Sequence, residues 1–245
     1  YEFFLRTFVG SIAPQLIHDL HLNIEQFTLI GSAYYIAYGV MQIPVGILVD
    51  TFGVKKVTVF ATLSCALATY LFSHSSGFFD AAMARFCMGF GSSFAFISLL
   101  MIVADWFPSR YFSFFVGASQ FIGTMGPFLA GGPLITWLAS SHVGWRSALV
   151  SISVVGFVLS LLALVLFKAR GRQKTRHIVF LSNARSTFVK FKELMRTPQA
   201  WAVGFYSACI YVSIAVMAAV WGTDYMQTVG LSQSQSAYML SIAWI

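Results

Sequence analysis

Apolar residues come in long blocks along this chain. They neither alternate nor recur every three or four positions. Blocks near 1–17, 27–49, 57–72, 79–104, 112–138 and 148–167 are parted by short polar or turn-forming connections, and a seventh runs over about 201–226. A helix needs roughly 20 apolar residues to cross a hydrocarbon core of about 30 Å, so the blocks predict membrane spans. Backbone polar groups at that depth must be satisfied within the segment, which makes the spans helices. The first block carries Glu2 and Arg6 and is followed by no small-residue cleavage site, so it is not a signal peptide. An eighth block starts near Ser232 and meets Ile245 after about a dozen residues, too few to cross. The expectation is an all-α, polytopic membrane helix bundle, of which this chain is a fragment.

Composition agrees: 58% of the 245 residues are hydrophobic and 9% charged, with a mean hydropathy of +0.77, against about 25% charged in a soluble domain. Soluble, disordered, collagenous and disulfide-scaffold classes are excluded. The three cysteines, Cys65, Cys87 and Cys209, lie inside apolar blocks and read as small buried hydrophobes. The net charge of +7 is distributed by topology. Lys55 and Lys56, then Arg110, then nine Lys and Arg from Lys168 to Arg196 occupy alternate connections, which the positive-inside rule assigns to the cytoplasm. The other connections hold His18, Asp19, His21 and Glu25, then His74, then His142 and Arg146. Residues 1–167 are therefore expected as one six-helix bundle, 168–199 as a basic cytoplasmic linker and 200–245 as the start of a second bundle. Within the linker, Ser182 to Met195 reads as an amphipathic helix that attracts anionic lipid headgroups. Asn23 and Gln26 form the pattern of a capping box at the second span.

Three elements carry mechanical chemistry. In Gly46-Ile-Leu-Val-Asp50-Thr-Phe-Gly53-Val-Lys55-Lys56, Gly46 suits a close helix approach, Gly53 a tight turn, and Asp50 a helix N-terminus. In Arg85-Phe-Cys-Met-Gly89-Phe-Gly91, an arginine several residues inside an apolar helix is costly unless it meets a wet cavity or a partner. It reads either as functional or as a structural arginine satisfied by carbonyls. On the fifth span, Gly126, Pro127, Gly131 and Gly132 allow bending and close crossing.

Together these resemble the signature elements of the major facilitator superfamily, in order and spacing over the first six spans. Thr51 stands where that family usually has a base, and three residues separate Gly126-Pro127 from Gly131-Gly132 where it usually has two. The resemblance implies a transporter working by alternating access, with Gly46, Asp50, Gly53, Lys55 and Lys56 as a gate latch. It also implies that Asp105, which with Arg110 flanks the end of the fourth span, pairs with Lys55 or Lys56 in the outward-open state. The family's cavity is lined by the first, fourth, seventh and tenth helices. The opening residues Tyr1 to Arg6 are similar to bacterial uptake members with an arginine on the first helix.

Counting at 1.5 Å per residue sets Arg6 about 16 Å from one end of its span and Arg85 about 9 Å inside the fourth. Two cations at those depths attract a carboxylate or phosphate, unless Glu2, one turn away, simply neutralises Arg6. Tyr34, Tyr38 and Gln42 fall on one stripe, and Gln120 and Tyr211 are further candidates to hold an organic solute, with packing as the alternative for each. Tyr206, Trp221 and Asp224 share that ambiguity. Glu2 is the proton-coupling candidate. The pair His18 and His21 lacks a third ligand for a metal, and Gly171 to Thr175 lacks the spacing of a phosphate loop. The expected function is secondary active uptake of a small organic solute bearing a carboxylate, such as an amino acid, short peptide or organic acid, coupled to protons. Efflux or uniport is the alternative within transport, and a non-transporting receptor or scaffold the alternative outside it. A monomer in a bacterial inner membrane is expected, with lipids around it and with no nucleic acid, cofactor, metal or enzymatic activity.

Overall fold

A computed structural model describes residues 1–141, 144–167, 189, 192–217 and 221–243, apart from a few side chains. The linker expectation falls largely outside these residues, as do His142 and the side chain of Asp224. All regular structure in the described residues is helical.

The first block does not form one rod. It divides into α1 (Glu2–Ser11) and α2 (Ala13–Asp19) at Ile12, because Pro14 has no N–H to return to the preceding turn. Asn23 then starts α3 (Ile24–Phe52) with the anticipated capping box: Gln26 N donates to Asn23 Oδ1 at 2.7 Å, and Asn23 N to Gln26 Oε1 at 3.0 Å. Gly53 ends α3 and begins α4 (Val54–Ser73) at φ 83°, a backbone that needs glycine. α5 (Phe78–Trp106) follows. The fifth block is broken twice, into α6 (Phe112–Gly123), α7 (Met125–Ala130) and α8 (Gly132–Ser141), where glycines surround Pro127. α9 (Trp145–Leu166) follows, and among the described residues five helices are long and apolar enough to cross a membrane. Beyond the linker, α10 (Pro198–Val216), α11 (Gly222–Thr228) and α12 (Gln233–Ile242) cover the seventh block and the eighth.

α3 packs on α5, α5 on α4, and α4 on α9, while α1 lies against α7. Glycines set the close crossings. A Cβ on Gly89 would overlap the Tyr34 backbone, one on Gly91 would meet Cys65 Sγ at 2.7 Å, and one on Gly126 would meet Phe4 N at 2.7 Å. Gly46, expected to serve the same purpose, has open space around it, because the first close approach on α3 comes three turns earlier, at Tyr34. Of the cysteines, Cys65 is buried and Cys87 partly so, but Cys209, on α10, is exposed.

Lys55, Lys56 and Arg110 mark one end of the bundle, the basic end. At the opposite end the elements are tied together. Trp145 Nε1 donates to Asp19 Oδ2 at 2.8 Å, and Arg146 Nη1 donates to the carbonyls of Ser73 and Ser75 at 2.9 and 2.7 Å. The segments after the linker also join there: Gly132 N donates to Ser241 Oγ at 2.8 Å, Thr136 Oγ1 contacts Tyr238 Oη at 3.1 Å, and Trp221 meets Phe27 edge-on. Toward the basic end α6 and α10 part from the rest, while α3, α4 and α5 stay packed. α6 buries none of its residues, and Trp201 to Val212 of α10 are exposed throughout.

Candidate functional site

Between the parted elements lies a cavity of about 380 Å³, lined by Glu2, Phe3, Arg6, Tyr38, Ala95, Phe96, Leu99, Ser119, Gln120 and Tyr211. These residues come from the start of α1, the middle of α3, the second half of α5 and the later parts of α6 and α10. The seams at the opposite end close the other side, so the cavity opens toward the basic end.

Arg6 is the centre of its polar wall. The residue is 9% exposed, and its guanidinium lies over the rings of Phe3, Tyr38 and Tyr211 at 5.0, 4.9 and 6.0 Å. Nη2 donates to Glu2 Oε1 and Nη1 to Tyr211 Oη, both at 2.5 Å, while Nε has no partner. Glu2 also accepts from Tyr34 Oη at 3.0 Å. The i, i+4 pair foreseen on α1 therefore forms, yet it does not exhaust the arginine. One of its contacts reaches a residue some two hundred positions later, across to α10.

The remaining predicted residues separate into groups. Tyr38, Gln120 and Tyr211 line the cavity with Arg6 and Glu2. Tyr34 lies fully buried behind them, stacked on Tyr38 at 6.2 Å. Gln42 does not reach the cavity. It is exposed and donates to Tyr38 O at 3.3 Å, because residues at i+4 drift by about 40° around a helix, which carries the stripe outward over two steps. Arg85 is also outside the cavity wall. It is 1% exposed, donates from Nη1 to Leu5 O at 2.6 Å, and lies over Tyr34 and Phe8 at 4.7 and 5.4 Å. It thus grips the backbone of α1 from beneath. The sequence pattern does not reach Phe3, Ser119 or the α5 residues Ala95, Phe96 and Leu99. Of these only Phe3, at i−3 from Arg6, and Ser119, beside Gln120, carry a signal.

The gate residues sit at the basic end. Asp50, Lys56, Asp105 and Arg110 are exposed, and among the described residues none of them, nor Lys55, forms an ion pair. The implied pairing of Asp105 with Lys55 or Lys56 is not formed among the described residues. Gly126, Pro127, Gly131 and Gly132 lie where the fifth span breaks, and a Cβ on Gly131 or Gly132 would collide with Ser241 or Tyr238.

A hexuronate transporter of Escherichia coli (strain K12) is 29% identical over 172 residues, which are 69% of this chain and 39% of that protein. A probable galactarate/D-glucarate transporter of the same strain is 32% identical over 170 residues, 64% of this chain and 36% of its own. The chain thus spans well under half the length of these curated relatives. In three dimensions it superposes, with a TM-score of 0.72 and 18% identity, on a bacterial homologue of the human lysosomal transporter Spinster in an inward-facing, unoccupied conformation, covering 97% of this chain and 55% of that one. The family profile of the Major Facilitator Superfamily matches residues 2–245; with this helix order and this cavity, the chain is a multi-pass membrane protein belonging to that superfamily of transporters.

Proposed function

We propose that this chain supplies the anion-recognising wall of a secondary transporter for small organic acids, sugar acids foremost. The observation that carries the reading is Arg6, a nearly buried cation on the wall of the cavity. Arg6 shares its cavity wall with a single carboxylate, Glu2, and Arg85, buried behind that wall, adds a second positive charge that favours an anionic solute in a medium that screens weakly. Uronates and aldarates, which the relatives' names specify, are hydroxylated carboxylates. Their acid group suits the planar fork of Arg6, and their hydroxyls suit Tyr38, Gln120, Ser119 and Tyr211.

The same wall supports proton coupling through Glu2. While ionised, Glu2 holds one side of Arg6. A proton on its carboxylate cancels that charge and leaves the guanidinium to the substrate's carboxylate, so the anion and the proton travel together. The substrate also takes the place of Tyr211 on Arg6, and thereby meets the second half of the transporter. The positive-inside rule supports a cytoplasmic basic end and with it an inward-open reading of this arrangement, and the bacterial relatives support a bacterial cytoplasmic membrane. The gate latch around Asp50 is then unfastened.

The test is uptake of galacturonate and glucarate by the full-length transporter in proteoliposomes. Glu2→Gln is expected to keep substrate exchange but lose accumulation driven by a proton gradient, and Arg6→Lys to raise KM. Proton-driven accumulation that survives Glu2→Gln, or equal uptake of the neutral sugars, overturns the reading.

A further inference from the structure

A second concavity lies on the outer face of the bundle, away from the central cavity. α3, α4 and α5 meet there near the basic end, and Leu48, Phe52, Lys56, Val57, Phe60, Phe90 and Phe94 enclose about 410 Å³. Its walls are aromatic: the Phe60 ring stands edge-on to Phe90 and Phe94 at 6.4 and 6.5 Å. Phe52 and Phe60 each leave about half of their surface uncovered, at 53% and 52% exposed. Lys56 is the one charged residue of the lining. It is exposed, belongs to the first turn of α4, and among the described residues forms no ion pair. Gly53 gives that helix no side-chain cap, so the amides of the first turn are free to face an anion as well.

An apolar trough with a cation at its basic mouth matches the amphiphile that borders it. We propose that this groove holds one anionic phospholipid, with an acyl chain against Phe60, Phe90 and Phe94 and the phosphate on Lys56 and the start of α4. Charge complementarity selects this occupant. A zwitterionic phospholipid offers Lys56 the same phosphate but sets its own ammonium cation beside it, which weakens the pairing, and a soluble anion leaves the phenylalanines uncovered. The site is independent of what the central cavity transports.

Native mass spectrometry of the full-length transporter, equilibrated with equimolar phosphatidylglycerol and phosphatidylcholine of equal chain length, tests the assignment. The wild type is expected to retain one phosphatidylglycerol about tenfold over phosphatidylcholine. Lys56→Gln brings the ratio near unity, and Leu48→Trp, which fills the trough, lowers retention of both lipids, each variant melting close to wild type. Glycerol phosphate, the soluble headgroup alone, leaves the bound lipid in place, and this arm decides the question on wild type if either variant misfolds. An unchanged lipid ratio in Lys56→Gln, undiminished retention in Leu48→Trp, displacement by glycerol phosphate, or a dimer that Leu48→Trp dissolves overturns the proposal.

Discussion

Arg6 and Arg85 are the same residue type on neighbouring helices, but their surroundings give them different work. Arg6 spends its donors on Glu2 and on Tyr211 across the cavity, whereas Arg85 spends one on the carbonyl of Leu5 and lies between two rings. A charged hydrogen bond contributes about 1.5–3 kcal/mol, so Arg6→Lys should weaken substrate affinity roughly tenfold or more at 1.4 kcal/mol per decade, with melting near wild type. Arg85→Lys should do the reverse, lowering the melting temperature while changing KM by less than about threefold. Titration of affinity and melting on the purified full-length transporter separates the two. An Arg85→Lys protein with full stability and lost affinity would return Arg85 to the binding site. That both arginines lie inside the bundle was legible in the sequence, since each sits well within an apolar block. Which way a guanidinium turns was not, because Leu5 and Phe8 come to Arg85 only through the packing of α1 on the bundle.

Helix beginnings were legible where the signal is local, as at Asn23 and Ser232, whose side chains cap their own helices. Breaks inside spans were legible only in part. Pro127 and its glycines announce the interrupted fifth span, but Pro14 is hidden in an apolar block long enough to cross without a break. Close crossings sort themselves likewise: three glycines look alike in the sequence, and the structure distinguishes them. Gly89→Ala forces a methyl into the Tyr34 backbone, which cannot yield, and should destabilise by about 1–3 kcal/mol. Gly46→Ala meets nothing and should leave melting unchanged; thermal denaturation of the two variants checks the contrast. At the loop ends, hydrogen bonds from His18 and Trp145 hold the Asp19 carboxyl below the usual carboxylate range. A depressed value stabilises the fold above the unfolded carboxylate's pKa, about 3.9, and that contribution is lost as pH falls through the lower folded value. Trp145 should therefore keep its environment from neutral pH down to about 4 and lose it in stronger acid, followed by fluorescence, with Asp19→Asn flattening the transition.

As a whole the molecule is a wedge, joined by α11 and α12 at one end and parted along α6 and α10 at the other. The multi-pass character could be read from blocks of apolar residues, five of which form helices long and apolar enough to cross a membrane among the described residues, because block length follows from the bilayer alone. The wedge could not, since alternative arrangements of one sequence bury much the same residues. Single cysteines at Ser119 and Leu99, both on the cavity wall, should react with a membrane-impermeant maleimide from the basic side only. Asp50→Asn should raise that labelling by removing a partner that the closed gate needs; unchanged labelling would count against the latch.

The seam that joins the wedge pairs the backbone of Gly131 and Gly132 with Ser241 and Tyr238, and its described contacts are all between neutral groups. The rim that must meet when the wedge rocks shut instead carries Asp50, Lys55, Lys56, Asp105 and Arg110. Mobile ions reach only the second of these, because screening acts on exposed charges over a Debye length of about 8 Å at physiological ionic strength. An inert electrolyte thus becomes an asymmetric brake, lengthening the dwell in the arrangement open at the basic end and leaving the neutral seam untouched. Turnover should slow as potassium chloride is added on the basic side, while the same addition on the other side changes nothing.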